Sequence, residues 1–251
     1  MHVFDKTSLS IEQALKTGLV HKDYIAHCHR WAHVVKHLEQ RDRRYINDHR
    51  FEHAIILDIG CGKDLMLYKI LASNRMANSG CHYTGIDINK INNPFEHRKN
   101  PPMIFAETNF LDVQRLETPP TVIVCFEVVE HMPRDASLAI LQHAYTLAAN
   151  DAVFFLSTPV RNEKWGIAKN HMNEMTREEL KEQIDASGWV VRENYGTFSN
   201  RADLYGKLTP EHKVVYDQLG SYYCGDVIAT IFAPLYPEHA RNNVWVLTKQ
   251  T

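Results

Sequence analysis

From residue 54 onward the chain alternates short apolar runs with segments of helical periodicity, and no other feature narrows the fold as much. Strand-like runs are AIILDIG (54–60), HYTGIDI (82–88), MIFAETNF (103–110), TVIVCFEV (121–128) and DAVFFLSTP (151–159), then WVVRENYGTF (189–198) and NNVWVLTK (242–249). The first, fourth and fifth are almost unbroken in apolar residues, as central parallel strands covered on both faces require. Helices are expected near 64–77, 89–98, 135–148 and 176–187, the last stopping at Gly188, a natural C-terminal cap. Such alternation predicts an α/β fold, a mostly parallel sheet with helices on both faces.

Residues 1–50 read as an N-terminal helical arm ahead of a domain at 51–251. Ser10 can cap a first helical segment, and Ile25, Cys28, Ala32 and Val35 recur at helical spacing in a second. The second also carries His21, His27, His29, His33 and His37, then Arg41, Arg43 and Arg44. These read as a solvated face, with a substrate or phosphate lip as the sharper alternative. Residues 199–241 break the strand–helix rhythm with Pro210, Pro234 and Pro237, several aromatics and one short helix signal near 209–219. A segment of this length before the last strand is expected to be an active-site lid.

Composition removes several function classes. A length of 251 residues suits one large domain, or one domain with an elaborated arm. A net charge of −2 indicates no dominant nucleic-acid surface. No apolar stretch approaches the roughly 18 residues that span a membrane, and MHVFDKTSLS at the start has no signal-peptide core. Cys28, Cys61, Cys81, Cys125 and Cys224 are odd in number and scattered, with no C-x-x-C pair. That argues against a disulfide scaffold or structural zinc and for a reducing, cytoplasmic setting.

The chemistry concentrates where the first run ends. In ILDIGCGKDL (56–65), an acid meets two glycines separated by a single residue. A strand that stops at a glycine-rich turn and re-enters as a helix cradles nucleotides in many folds. Leu65 stands where a dinucleotide fingerprint has its third glycine, Asp58 lies inside the strand end, and two strands follow the fifth. A nicotinamide-dependent oxidoreductase is therefore disfavoured; a non-catalytic cofactor-binding subunit is the other competing class.

DIGCG, GIDI, TNF and FEVVEHM, in that order on the first four strands, resemble the class I S-adenosylmethionine-dependent methyltransferases over residues 54–249. The resemblance implies a seven-stranded Rossmann-like sheet and S-adenosyl-L-methionine as cofactor. It also implies methyl transfer to an oxygen or nitrogen of a small-molecule metabolite. Gly60 and Gly62 would let the backbone approach the cofactor, with Cys61 as small filler between them. Asp58 would lie near the methionine ammonium, and Asp87 would take the ribose hydroxyls. Ile88 would pack on the adenine, Asn109 accept from its N6, and Phe110 offer its amide to a ring nitrogen. Phe126 belongs to the same cofactor set, and Tyr24 of the arm would close over it. The acids and histidines after the fourth and fifth strands, Glu127, Glu130, His131 and His171, are the candidates to orient or deprotonate the acceptor.

The same E-x-x-E-H, with His171 ahead of MTREEL, also resembles small-RNA 3′-terminal 2′-O-methyltransferases, in which such residues hold magnesium. The stretch STPVRNEKWG departs from that pattern, and the tryptophan before Thr176 is missing. No bound metal is expected, and metal-assisted RNA ribose methylation is kept as the alternative. Base-amino and cytosine-C5 DNA methylation lack their motifs after the fourth strand, and no phosphate-binding G-x-x-x-x-G-K-[ST] is present.

Overall fold

The computed structural model describes residues 22–48, 54–63, 65–73, 81–91, 103–162 and 166–250. Seven strands form one sheet in the order β3-β2-β1-β4-β5-β7-β6. They are β1 (Ile55–Ile59), β2 (His82–Asp87), β3 (Met103–Glu107), β4 (Val122–Phe126), β5 (Val153–Pro159), β6 (Trp189–Phe198) and β7 (Asn242–Lys249). Each expected run contains a strand: β6 and β7 match end to end, and the other five are trimmed. β1 pairs in parallel with β2 and β4, β2 with β3, and β4 with β5. The segments after β1 to β5 therefore leave one edge of the sheet, where open α/β folds hold their ligands.

The helices are α1 (Lys22–Asp48), α2 (Met66–Ser73), α3 (Arg134–Leu147), α4 (Arg177–Ala186), α5 (Arg201–Leu204), α6 (Pro210–Leu219) and α7 (Gly225–Phe232). Local chemistry sets several of their ends. A reciprocal capping box between Thr176 and Glu179 starts α4, and Gly188 follows its end with φ +90°. Thr209 caps α6, with Pro210 in its first turn. The expected segment capped by Ser10, and residues 92–98 of the expected second inter-strand helix, lie outside the described residues.

Two expectations change. The inward stripe of α1 is Ala26, Arg30, Val34 and Leu38, whereas Cys28 and Ala32 are exposed. Both stripes have helical spacing, and periodicity alone could not choose between them because one contains a buried arginine. His29, His33 and His37 do not form a solvated face either, while His21 and the side chains of Arg41, Arg43 and Arg44 lie outside the described residues. His33 stacks on Tyr195 with ring centroids 3.6 Å apart, His37 meets the edge of Phe155, and burial pushes the His29 pKa down. The second correction is in 199–241, which holds α5 and α7 besides the expected α6. Helices of four and eight residues owe their stability to packing and leave little periodic signal.

The chain divides into two compact units, Met1–His33 with Asn194–Val244 and Val34–Glu193 with Trp245–Thr251. The first has its own apolar cluster of Leu204, Leu208, Tyr216, Ile228, Ala229, Phe232 and Tyr236. In the second, Leu57, Ile59, Ile123 and Leu156 of the sheet pack with Ile140, Leu141 and Ala144 of α3 and with Leu180 and Ile184 of α4. Trp189 closes that core: its indole N–H donates to the Leu141 carbonyl at 3.0 Å. All five cysteines are free thiols. No helix among the described residues is long and apolar enough to cross a membrane.

Candidate active site

The turn after β1 is built by left-handed backbone at Gly60 (φ +68°) and Gly62 (φ +67°). The Gly60 N–H donates to the Ile86 carbonyl at 2.8 Å, and the Gly62 N–H donates to Asp87 Oδ2 at 2.9 Å. The two glycines are needed for different reasons. A Cβ at Gly60 would collide with Val128 Cγ2, while one at Gly62 would meet nothing within 4 Å among the described residues. Gly62 thus marks the open side of the turn, where a ligand can lie against main chain. Leu65 also has a left-handed backbone (φ +49°) and is fully buried. Its burial there outweighs a strain of about 1–2 kcal/mol.

Asp87 ends β2 nearly buried, and its Oδ1 accepts from the Asn89 main-chain N–H at 2.7 Å and from its Nδ2 at 3.0 Å. A carboxylate has about four acceptor positions; the Gly62 and Asn89 bonds fill three, and one on Oδ2 remains for a ribose hydroxyl. The next residue, Ile88, is 76% exposed, a large apolar side chain presented beside that carboxylate. Asn109 Oδ1 accepts from Leu111 N–H at 3.1 Å and caps a 3-10 turn, which leaves one of its two lone pairs for a further donor. The Phe110 ring is buried against His143, which leaves main chain as its means of meeting a ligand. Phe126 ends β4, half-buried and in register with Ser157.

Asp58 lies in the middle of the sheet between Gly85 and Val124 and is 2% exposed. It accepts a 2.6 Å hydrogen bond from the Tyr83 hydroxyl. Burial pushes its carboxyl up to about 7; the Tyr83 bond pulls the other way, and the Asp87 charge adds to the rise. The Cys61 thiol is pushed up by burial and by the charges of Asp58 and Asp87, which suits inert filling of the turn. Tyr24 belongs to the first unit, where the adjacent Cys28 thiol pushes its pKa up.

Beyond β4 the backbone is strained. Glu127 has φ +57°, its N–H donates to the Ser157 carbonyl, and its Oε1 accepts from Ser157 Oγ at 2.7 Å. Such geometry in a non-glycine costs about 1–3 kcal/mol and gathers at functional sites. The buried Glu130 accepts on its main-chain carbonyl from Met172 and Asn173 N–H, which ties the segment after β5 to the end of β4. His131 Nδ1 donates to the Asn170 carbonyl at 2.9 Å, and His171 Nδ1 donates to the buried Glu174 carboxylate at 2.6 Å. Both partners are acceptors, so in each neutral imidazole the lone pair sits on Nε2. The rings lie 4.9 Å apart, edge to face.

Ligand atoms of Glu130, His131 and His171 lie within 4.8 Å of one another. One carboxylate and two imidazoles fit manganese, cobalt or zinc better than magnesium. The structure therefore brings together three of the four catalytic candidates, while Glu127 turns to Ser157. Glu174 and Tyr83 escaped sequence reasoning. The i, i+3 spacing of His171 and Glu174 could have suggested the first, whereas only strand register places Tyr83 beside Asp58.

A family described as a methyltransferase domain matches residues 25–194. The ubiquinone biosynthesis O-methyltransferase of Aeromonas salmonicida (strain A449) is 28% identical over 184 residues, which cover 59% of this chain and 70% of that protein. Magnesium protoporphyrin IX methyltransferase from Synechocystis PCC 6803, crystallised with S-adenosylhomocysteine, superposes with a TM-score of 0.50 at 13% identity, covering 97% of this chain and 89% of that one. The cyclase SpnF gives 0.52 at 14% identity over 79% and 75% of the two chains. At these identities the two structures share the fold with this chain, and a cyclase among them shows that the fold serves more than one chemistry.

Proposed function

The chain belongs to the methyltransferase-domain family, and from that membership we propose that it transfers a methyl group from S-adenosyl-L-methionine to an oxygen or nitrogen of a small metabolite. The observation that carries the cofactor assignment is the Gly60–Gly62 turn, open at Gly62 and tied to Asp87. Gly62 main chain and Asp58 would hold the methionine portion, Asp87 the ribose, and Ile88 with the 109–110 main chain the adenine. When bound, the cofactor supplies a methyl group already activated on a sulfonium. The protein's remaining tasks are to hold the acceptor in line and to take its proton. His131 and His171, each with Nδ1 engaged and Nε2 able to accept, suit the second task. The small-molecule assignment draws support from the O-methyltransferase relative and from the near-zero net charge. Free thiols accord with a cytoplasmic setting.

A second reading, metal-assisted methylation of an RNA ribose, is favoured by one observation, the convergence of Glu130, His131 and His171. Calorimetry with S-adenosylmethionine, S-adenosylhomocysteine and NAD tests the cofactor, with NAD binding alone overturning the proposal. Methyl-labelled cofactor incubated with a metabolite extract and with small RNA tests the acceptor: label is expected in the low-mass fraction. Label in RNA, with stoichiometric metal by elemental analysis and activity lost on EDTA and restored by manganese, would give the second reading first place.

A further inference from the structure

The Tyr83–Asp58 contact lies beneath the glycine turn and has no part in the chemistry described above. We propose that Tyr83 is a positioning residue for cofactor capture: its hydroxyl holds Asp58 as an oriented carboxylate for the ligand's ammonium, so that affinity follows the ionisation of Asp58. The inference rests on the S-adenosylmethionine reading.

Packing and hydrogen bonding separate cleanly at this residue. The Tyr83 ring is buried against Tyr68 and Phe105, with centroids 5.4 and 5.9 Å away. The slot it occupies exists because residue 85, two positions along the same strand face, is glycine. A Cβ there would come within 3.0 Å of Tyr83 Cε1 and of Cys61 Sγ. A phenylalanine ring would fill that slot equally well, so the hydroxyl is not needed for packing. A buried phenol does need an acceptor, and this one reaches Asp58 Oδ2 at 2.6 Å.

The groups facing Asp58 are Tyr83 and Asp87 from β2, Cys61 from the turn and Cys125 from β4. None of these four, among the described residues, is a cation, and the ligand's ammonium would supply a positive charge that favours the carboxylate. Until it arrives, a donated hydrogen bond from Tyr83 favours the charged form. Burial drives the Tyr83 pKa well upward, so its hydroxyl stays protonated and remains a donor.

The test is calorimetric titration of the full chain with S-adenosylhomocysteine from pH 5.5 to 8.5 at constant ionic strength. Wild-type affinity is expected to rise about tenfold per pH unit and to level off above pH ~7, as for a single ionisation. In Tyr83→Phe the inflection should move up by about one pH unit and affinity at pH 7 fall about tenfold, the scale of one hydrogen bond to a charged group. The loss should shrink at pH 8.5. Should Tyr83→Phe not fold, Asp58→Asn serves, and its profile is expected to be flat. A Tyr83→Phe profile that coincides with wild type, or that is lowered equally at every pH, would overturn the inference, as would an inflection retained in Asp58→Asn. A wild-type protein that binds no S-adenosylhomocysteine at any pH would instead overturn the cofactor reading.

Discussion

Replacing Asp58 by asparagine should make the ligand-free protein more stable at alkaline pH, an unusual outcome for a residue at the centre of a binding motif. Asp58 is 2% exposed, and burial raises its carboxyl from an ordinary 3.8 to about 7. An acid whose pKa is higher folded than unfolded binds more protons in the native state. Its contribution to stability is present in full below pH 3.8 and is lost as the pH rises to about 7. At about 1.36 kcal/mol per decade, the ionised carboxylate costs the native state on the order of 4 kcal/mol above pH 7. That is a large fraction of the ~5–15 kcal/mol that holds a domain together. Asparagine is nearly isosteric, keeps an oxygen for the Tyr83 hydroxyl and carries no charge.

The assay is urea unfolding of wild type and Asp58→Asn between pH 4 and 8.5. Other ionisable groups contribute alike to both proteins and cancel in the difference. The variant should match wild type near pH 4, gain about 1.4 kcal/mol per pH unit up to pH 7, and hold a constant advantage beyond. The same variant should bind S-adenosylhomocysteine more weakly, so stability gained would be affinity lost. A pH-independent difference, or a variant less stable than wild type at pH 8, would refute the reasoning.

Three further outcomes are expected. Asp87→Ala should weaken S-adenosylhomocysteine binding by roughly 1.5–3 kcal/mol in calorimetry, since it removes a charged acceptor and frees the Gly62 N–H. The two turn glycines should separate by mechanism in urea unfolding and calorimetry. Gly60→Ala meets Val128 and should cost about 3 kcal/mol or more of stability, whereas Gly62→Ala should cost about 1–2 kcal/mol and act mainly on ligand affinity. Replacing residues 200–240 with a short flexible linker removes the apolar cluster around Phe232 while leaving the one around Leu57 intact. We expect that protein to bind S-adenosylhomocysteine and to lose methyl transfer, the first read by calorimetry and the second by labelled-methyl incorporation.

What the sequence determined by itself was whatever is written into local pattern. Nearly unbroken apolar runs such as TVIVCFEV suit strands buried on both faces, and all seven strand-like runs appear in the sheet. The glycines of DIGCG foretold a tight turn because left-handed backbone is costly for other residues, and both have positive φ. Gly188 marked the end of α4 for a similar reason, with φ +90° in the structure. Long-range geometry decided the rest. The inward stripe of α1 includes the buried Arg30, a residue that apolar periodicity does not select. The short helices α5 and α7 exist through packing within 199–241. Tyr83 is 25 residues from Asp58, and only the pairing of Asp58 with Gly85 puts its hydroxyl on that carboxylate. Glu127, read as one of four equivalent acids and bases, is drawn to Ser157 because β4 and β5 pair Phe126 with Ser157. Periodicity and backbone strain act over a few residues and can be read directly. Desolvation, register and the choice among rival hydrogen-bond partners depend on neighbours far away in the chain, and exist only once the sheet has formed.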